Sequence, residues 1–155
     1  MSEELQSRKD DPYNLARFVD AQDHVFAQAL MELRRGEKHG HWMWFIFPQI
    51  AGLGHSQTAR IFEISSRGEA EAYLRHAVLG PRLRECSRTV NLVEGRSAHD
   101  IFDDPDELKF RSSMTLFANV AMDKSVFEEA LEKFFDGRPD ALTLRKLAAL
   151  DKSGR

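Results

Sequence analysis

Apolar side chains recur at intervals of three and four along much of the chain. Leu15, Phe18, Val19, Phe26, Ala29, Leu30 and Leu33 trace one side of a helix, with Pro12 near its start and Gly36 just past its end. Gln22 falls inside this stripe. A buried amide left unpaired costs about 1–3 kcal/mol, so Gln22 either braces another element or faces a polar pocket. Further stripes follow: Leu83, Cys86, Val90 and Val93; Phe110, Met114, Phe117 and Ala121; Phe127, Ala130, Leu131 and Phe134. A last short helix begins near Asp140 and includes Leu144, Leu147 and Ala148.

Punctuation between the stripes agrees with them. Ser66 with Glu69, Ser97 with Asp100 and Ser125 with Glu128 have the spacing of a hydroxyl cap and a carboxylate that returns to it. Asp104-Pro105 predicts a start with proline in the first helical position. Strand signals are confined to Arg60–Ile64 and to the apolar run Trp42–Phe47, whose shortness hides its period. The expected architecture is mainly α: a single compact, irregular bundle of about seven helices over residues 11–150, with 1–10 and 151–155 as flexible tails.

Composition narrows the function classes. At 155 residues, with 42% apolar side chains and eleven phenylalanines, the chain builds a core without metal or disulfide staples. Its formal charge of −3 offers no global attraction to nucleic acid or anionic membranes. Cys86 is the only cysteine, so no intrachain disulfide forms; on the stripe it reads as a small buried hydrophobe. No apolar run approaches the ~20 residues that span a bilayer, and the polar start lacks a signal-peptide centre. The expectation is a cytoplasmic protein with no nucleic-acid or membrane partner.

Chemistry concentrates in two places. His39-Gly40-His41-Trp42-Met43-Trp44-Phe45-Ile46-Phe47-Pro48-Gln49 gathers both tryptophans and two of the six histidines. His39, His41 and His55 offer imidazoles, but without the Cys-x-x-Cys or His-Glu-x-x-His company of zinc sites, so neither a metal nor a cofactor is expected. Gly52-Leu53-Gly54 with Ser56 reads as a turn followed by a helix cap rather than a phosphate loop. In Lys109-Phe110-Arg111-Ser112-Ser113, helical spacing puts Lys109 on the face of both serines, an arrangement suited to anion binding, to a serine nucleophile activated by a desolvated lysine, or to close helix packing.

The ordered set Asp11-Pro12-Tyr13, Arg17-Phe18, Ala21-Gln22, His41 to Gln49, Gly52-Leu53-Gly54, Glu69-Ala70, Tyr73-Leu74, Leu79 to Leu83 and Lys109 to Phe117 resembles the bacterial family called domain of unknown function 1810. The resemblance spans Asp11 to Leu147 and implies a compact, mainly α fold without an established activity. Some members carry the label calpastatin, a long, disordered and repetitive inhibitor; this chain has a core-sized apolar fraction and no repeats.

Together these features predict a small-molecule binding protein or enzyme for a nucleotide-like or phosphorylated ligand. His41 is the candidate general acid or base, Gln22 and Gln49 orienting groups, Trp42 and Trp44 stacking walls, and Lys109 with Ser112 and Ser113 an anion clamp. The alternative is a non-catalytic interaction or homo-oligomerisation module that docks through the aromatic segment.

Overall fold

The first apolar stripe folds as two helices, not one: α1, Ala16–Asp23, and α2, Phe26–Arg35. The computed structural model describes residues 10–153. The chain breaks at Val25, which leaves helical torsions with φ −130° and ψ −5°. Ahead of α1, the Asp11 carboxylate accepts from the Leu15 and Ala16 amides at 2.7 and 2.9 Å, and Pro12 lies in the preceding turn. Gly36 ends α2 with φ +71°, a left-handed torsion that suits glycine.

The aromatic run is a single helical turn, α3, Met43–Ile46. The Ile46 and Phe47 amides donate to the Trp42 and Met43 carbonyls at 3.1 Å each, which overturns the strand alternative for Trp42–Phe47. A second short helix, α4, Gln57–Ile61, starts at Ser56, whose hydroxyl accepts from the Ala59 amide. Extended pairing among the described residues reduces to one parallel bridge between Ile50 and Ile64. Both corrections have one cause: in a run this short, burial is legible but period is not.

The remaining helices are α5, Arg67–Arg75; α6, Leu79–Asn91; α7, Ala98–Phe102; α8, Asp106–Val120; α9, Ser125–Phe135; and α10, Ala141–Ser153. Ser97 and Asp100 form the complete capping box. Ser66 caps Glu69 as expected, but the Glu69 carboxylate accepts from the Ser65 amide instead of closing back on Ser66. Ser125 lies within α9, its amide and hydroxyl both donating to Asp123 Oδ1. Pro105 occupies the cap of α8, where no side chain caps the first amides. Asp140 accepts from the Thr143 amide at 2.9 Å and so starts α10.

Ten helices stand among the described residues, against the expected seven or so; the break before Phe26 and the short α3 and α4 make the difference. The fold is mainly α. Helix α8 packs against α3, α5, α7, α9 and α10. Phe110, Ser113, Met114, Leu116 and Phe117 bury nearly all of its circumference, the mark of a central helix. Phe47, Phe102 and Phe110 meet at ring separations of 4.6–6.0 Å beside it. Among the described residues no helix is long and apolar enough to cross a membrane. The expected tails fall partly outside the described residues; of the rest, α10 carries through Ser153, and Asp151 pairs with Arg67 at 3.1 Å.

Candidate functional site

The sequence-predicted site divides between core and surface. Trp42 is 1% exposed, and its indole N–H donates to Glu32, itself buried. The Glu32 carboxylate also accepts from Gln28 Nε2 and from the amides of His39 and Gly40, all four bonds measuring 2.9 Å. Burial alone raises this carboxyl's pKa. The donors from Gly40, Gln28, His39 and Trp42 outweigh burial and lower it to about 2. A Cβ on Gly40 would stand 2.7 Å from Trp42 Cδ1, so glycine lets the loop amides reach Glu32 while the indole lies alongside.

Gln22 is a brace. Its amide nitrogen donates to the Phe45 carbonyl and Tyr73 Oη, at 2.7 and 3.0 Å, and its oxygen accepts from Arg82 at 3.3 Å. Ser112 Oγ donates to the Leu108 carbonyl at 3.0 Å, and the Ser113 hydroxyl is buried without a partner. Gln22, Trp42, Ser112 and Ser113 thus lie in the interior.

His41, Trp44, Gln49 and Lys109 keep exposed surface. Lys109 Nζ lies 4.8 Å from the Trp44 ring centre, and Lys38 Nζ 5.0 Å from that of Trp42. Asp106 joins the two lysines, pairing with Lys38 at 2.7 Å and Lys109 at 3.5 Å. Lys38 also donates to the carbonyl of Gly40, the residue before His41. Trp44 and Gln49, with Glu63, line a cleft of only about 10 Å³, room for one water molecule. His39, His41 and His55 are all exposed, and no group of three potential metal ligands occurs among the described residues. Burial pushes the Cys86 thiol up to about 12, with Glu85 adding to the effect, so it stays protonated and unreactive.

A larger space lies elsewhere. Leu15 at the cap of α1 and Ala16, Val19 and Asp20 within it face Ala72, Arg75 and His76 at the end of α5 across a cavity of about 530 Å³, which Asp10, Asp11, Pro12 and Tyr13 also line. That volume lies within the range of small-molecule sites. The two helices run side by side in the same direction. Arg17 meets Glu69 at 2.9 Å, the Phe18 and Tyr73 rings pack edge to face at 5.1 Å, and Gln22 reaches Tyr73 Oη. Arg17 fixes this alignment, its guanidinium donating to the carbonyls of Tyr13, Asn14, Ile61 and Glu63 and to the Glu69 carboxylate.

The groove has an apolar floor and a polar rim. Leu15, Ala16, Val19 and Ala72 form the floor. At the rim, Tyr13 Oη, Asp20 and Arg75 carry no hydrogen bond or ion pair among the described residues. His76 Nδ1 accepts from the amides of Val78 and Leu79 at 3.1 and 3.2 Å, which caps α6 and assigns the neutral ring's proton to Nε2. Sequence reasoning passed over these residues. The signal was the repeat of Ala72, Arg75 and His76 at helical spacing beside a stripe already recognised on α1.

A family model described as a protein of unknown function, DUF1810, matches residues 12–147. The crystal structure of the conserved hypothetical protein Rv1873 from Mycobacterium tuberculosis is 51% identical to this chain. It covers 89% of this chain and 99% of its own, with a TM-score of 0.88. No curated protein matches. With the shared motifs, the helical fold and a match across most of its length, this chain belongs to the DUF1810 family of proteins of unknown function.

Proposed function

We propose that the protein binds a small molecule in the groove between α1 and α5. The observation that carries this reading is the combination, in one cavity of about 530 Å³, of an apolar floor with rim groups that have no partner among the described residues. A ligand's apolar body lies on Leu15, Ala16, Val19 and Ala72, while Tyr13, Asp20, Arg75 and His76 Nε2 orient its polar ends. The interaction-module reading draws less support, because Trp42 is spent in the core and only Trp44 keeps exposed surface. The acidic balance and the buried thiol support a cytosolic protein without a nucleic-acid partner.

A thermal-shift screen over amino acids, nucleotides and phosphorylated metabolites tests this, since a ligand of the native state raises the melting temperature. Ala16 lines the groove and is exposed, so Ala16→Trp fills the space without entering the core. Stabilisation by any hit is expected to vanish in that variant; a hit that stabilises it as well as wild type refutes the groove.

One observation favours a second reading, a phosphorylated or nucleotide-like ligand at His41, Trp44, Gln49 and Lys109. Lys38 and Lys109 share the single carboxylate of Asp106, which leaves cationic charge beside a half-exposed indole. Under this reading Lys109→Ala abolishes stabilisation by phosphorylated compounds and Ala16→Trp does not.

A further inference from the structure

From the charges around the groove we infer a ligand class: a zwitterion with an apolar body, such as an apolar α-amino acid or dipeptide. The inference rests on the groove being the ligand site. Because α1 and α5 run in the same direction, with Arg17 beside Glu69 and Phe18 beside Tyr73, the groove has two distinct ends. At one, Tyr13 leans on the start of α5, where a Cβ on Gly68 would stand 2.6 Å from Tyr13 Oη. The other, one to two turns further along both helices, holds Asp20 on the α1 wall and Arg75 and His76 on the α5 wall.

Asp20 and Arg75 form no ion pair with each other or with any other described residue, although they border the same cavity. A ligand that carries both an ammonium and a carboxylate answers both. Its carboxylate meets the Arg75 guanidinium and the His76 Nε2–H, and its ammonium meets Asp20. Arginine's fork suits a carboxylate, and His76, held by two amides at Nδ1, serves as a donor. The floor then takes an apolar side chain. A phosphate-rich ligand fits less well, because the carboxylates of Asp11 and Asp20 line the cavity with Arg75, the one guanidinium among its described lining residues. Asp11 is already committed to the Leu15 and Ala16 amides, which leaves Asp20 as the ammonium's partner on α1.

The test compares four probes by thermal shift and calorimetry on the full chain: leucyl-phenylalanine, its N-acetyl form, its C-terminal amide and phenyl phosphate. The free dipeptide is expected to stabilise and bind wild type, with at least tenfold weaker binding when either charge is removed. Arg75→Ala and Asp20→Ala are each expected to abolish its binding, while Lys109→Ala leaves it intact. Equal binding of the acetylated, amidated or phosphate probe, lost in Ala16→Trp, keeps the groove and refutes the zwitterion. Dipeptide binding that survives Ala16→Trp refutes the groove itself. If no probe binds wild type, the zwitterion assignment is overturned.

Discussion

Two regions of this molecule are rich in polar groups, and they use them in opposite ways. Around Trp42 the polar groups meet one another: the Glu32 carboxylate takes four donors, and the Gln22 amide uses both its N–H donors and accepts at its oxygen. Around the α1–α5 groove, the Tyr13 hydroxyl and the Asp20 and Arg75 side chains have no partner among the described residues and lie beside about 530 Å³ of open space. A satisfied polar network holds a fold in one arrangement. Polar groups left without partners around an apolar floor are available to a ligand. The conspicuous aromatic signature is therefore an internal girder, and the less conspicuous groove is the proposed place for a ligand.

Substitution separates the two. Trp42→Ala removes a fully buried indole and leaves Glu32 short of a donor, so a loss of about 3–5 kcal/mol in denaturant-derived stability is expected. A loss below about 1 kcal/mol would break the girder reading. Next comes Glu32. Its pKa is about 2 in the fold against an ordinary 4.5, so its contribution is fully present above about pH 4.5 and disappears as pH falls toward 2. Glu32→Gln is expected to cost about 2–3 kcal/mol near neutrality and to flatten the acid limb of the stability–pH curve. An unchanged acid limb would mean that another carboxylate governs it.

The groove side carries smaller stability effects. His76→Ala removes the acceptor that caps α6 and is expected to cost about 1 kcal/mol. Arg75→Ala and Asp20→Ala, both at exposed positions without partners among the described residues, are expected to change stability by no more than about 0.5 kcal/mol while removing ligand stabilisation. Large stability losses at these two positions would erase the contrast between the regions.

What the sequence made legible follows the same division. Stripes of four or more apolar positions located the long helices, because 3.6-residue periodicity needs length to show. The one-turn helix at Met43–Ile46 lacked that length. The break before Phe26 was hidden, since α1 and α2 bury residues in the same core and their stripes read as continuous. Gln22 was marked as needing partners, and only tertiary contact reveals that Phe45, Tyr73 and Arg82 supply them. Lys109 does share a face with Ser112 and Ser113, yet the serines turn inward while the lysine pairs with Asp106 and lies over Trp44. The groove arises from pairing two helices some fifty residues apart, and its polar members carry no motif.

The chain's two tryptophans provide a direct reporter of which region meets a ligand. In an NMR titration of nitrogen-15-labelled protein with leucyl-phenylalanine, the amides of Ala16, Asp20, Ala72, Arg75 and His76 are expected to shift in a saturable manner while both indole N–H signals stay in place. Movement of the Trp44 indole and the Lys109 amide, with the α1 and α5 amides unmoved, would contradict the assignment of the groove as the site.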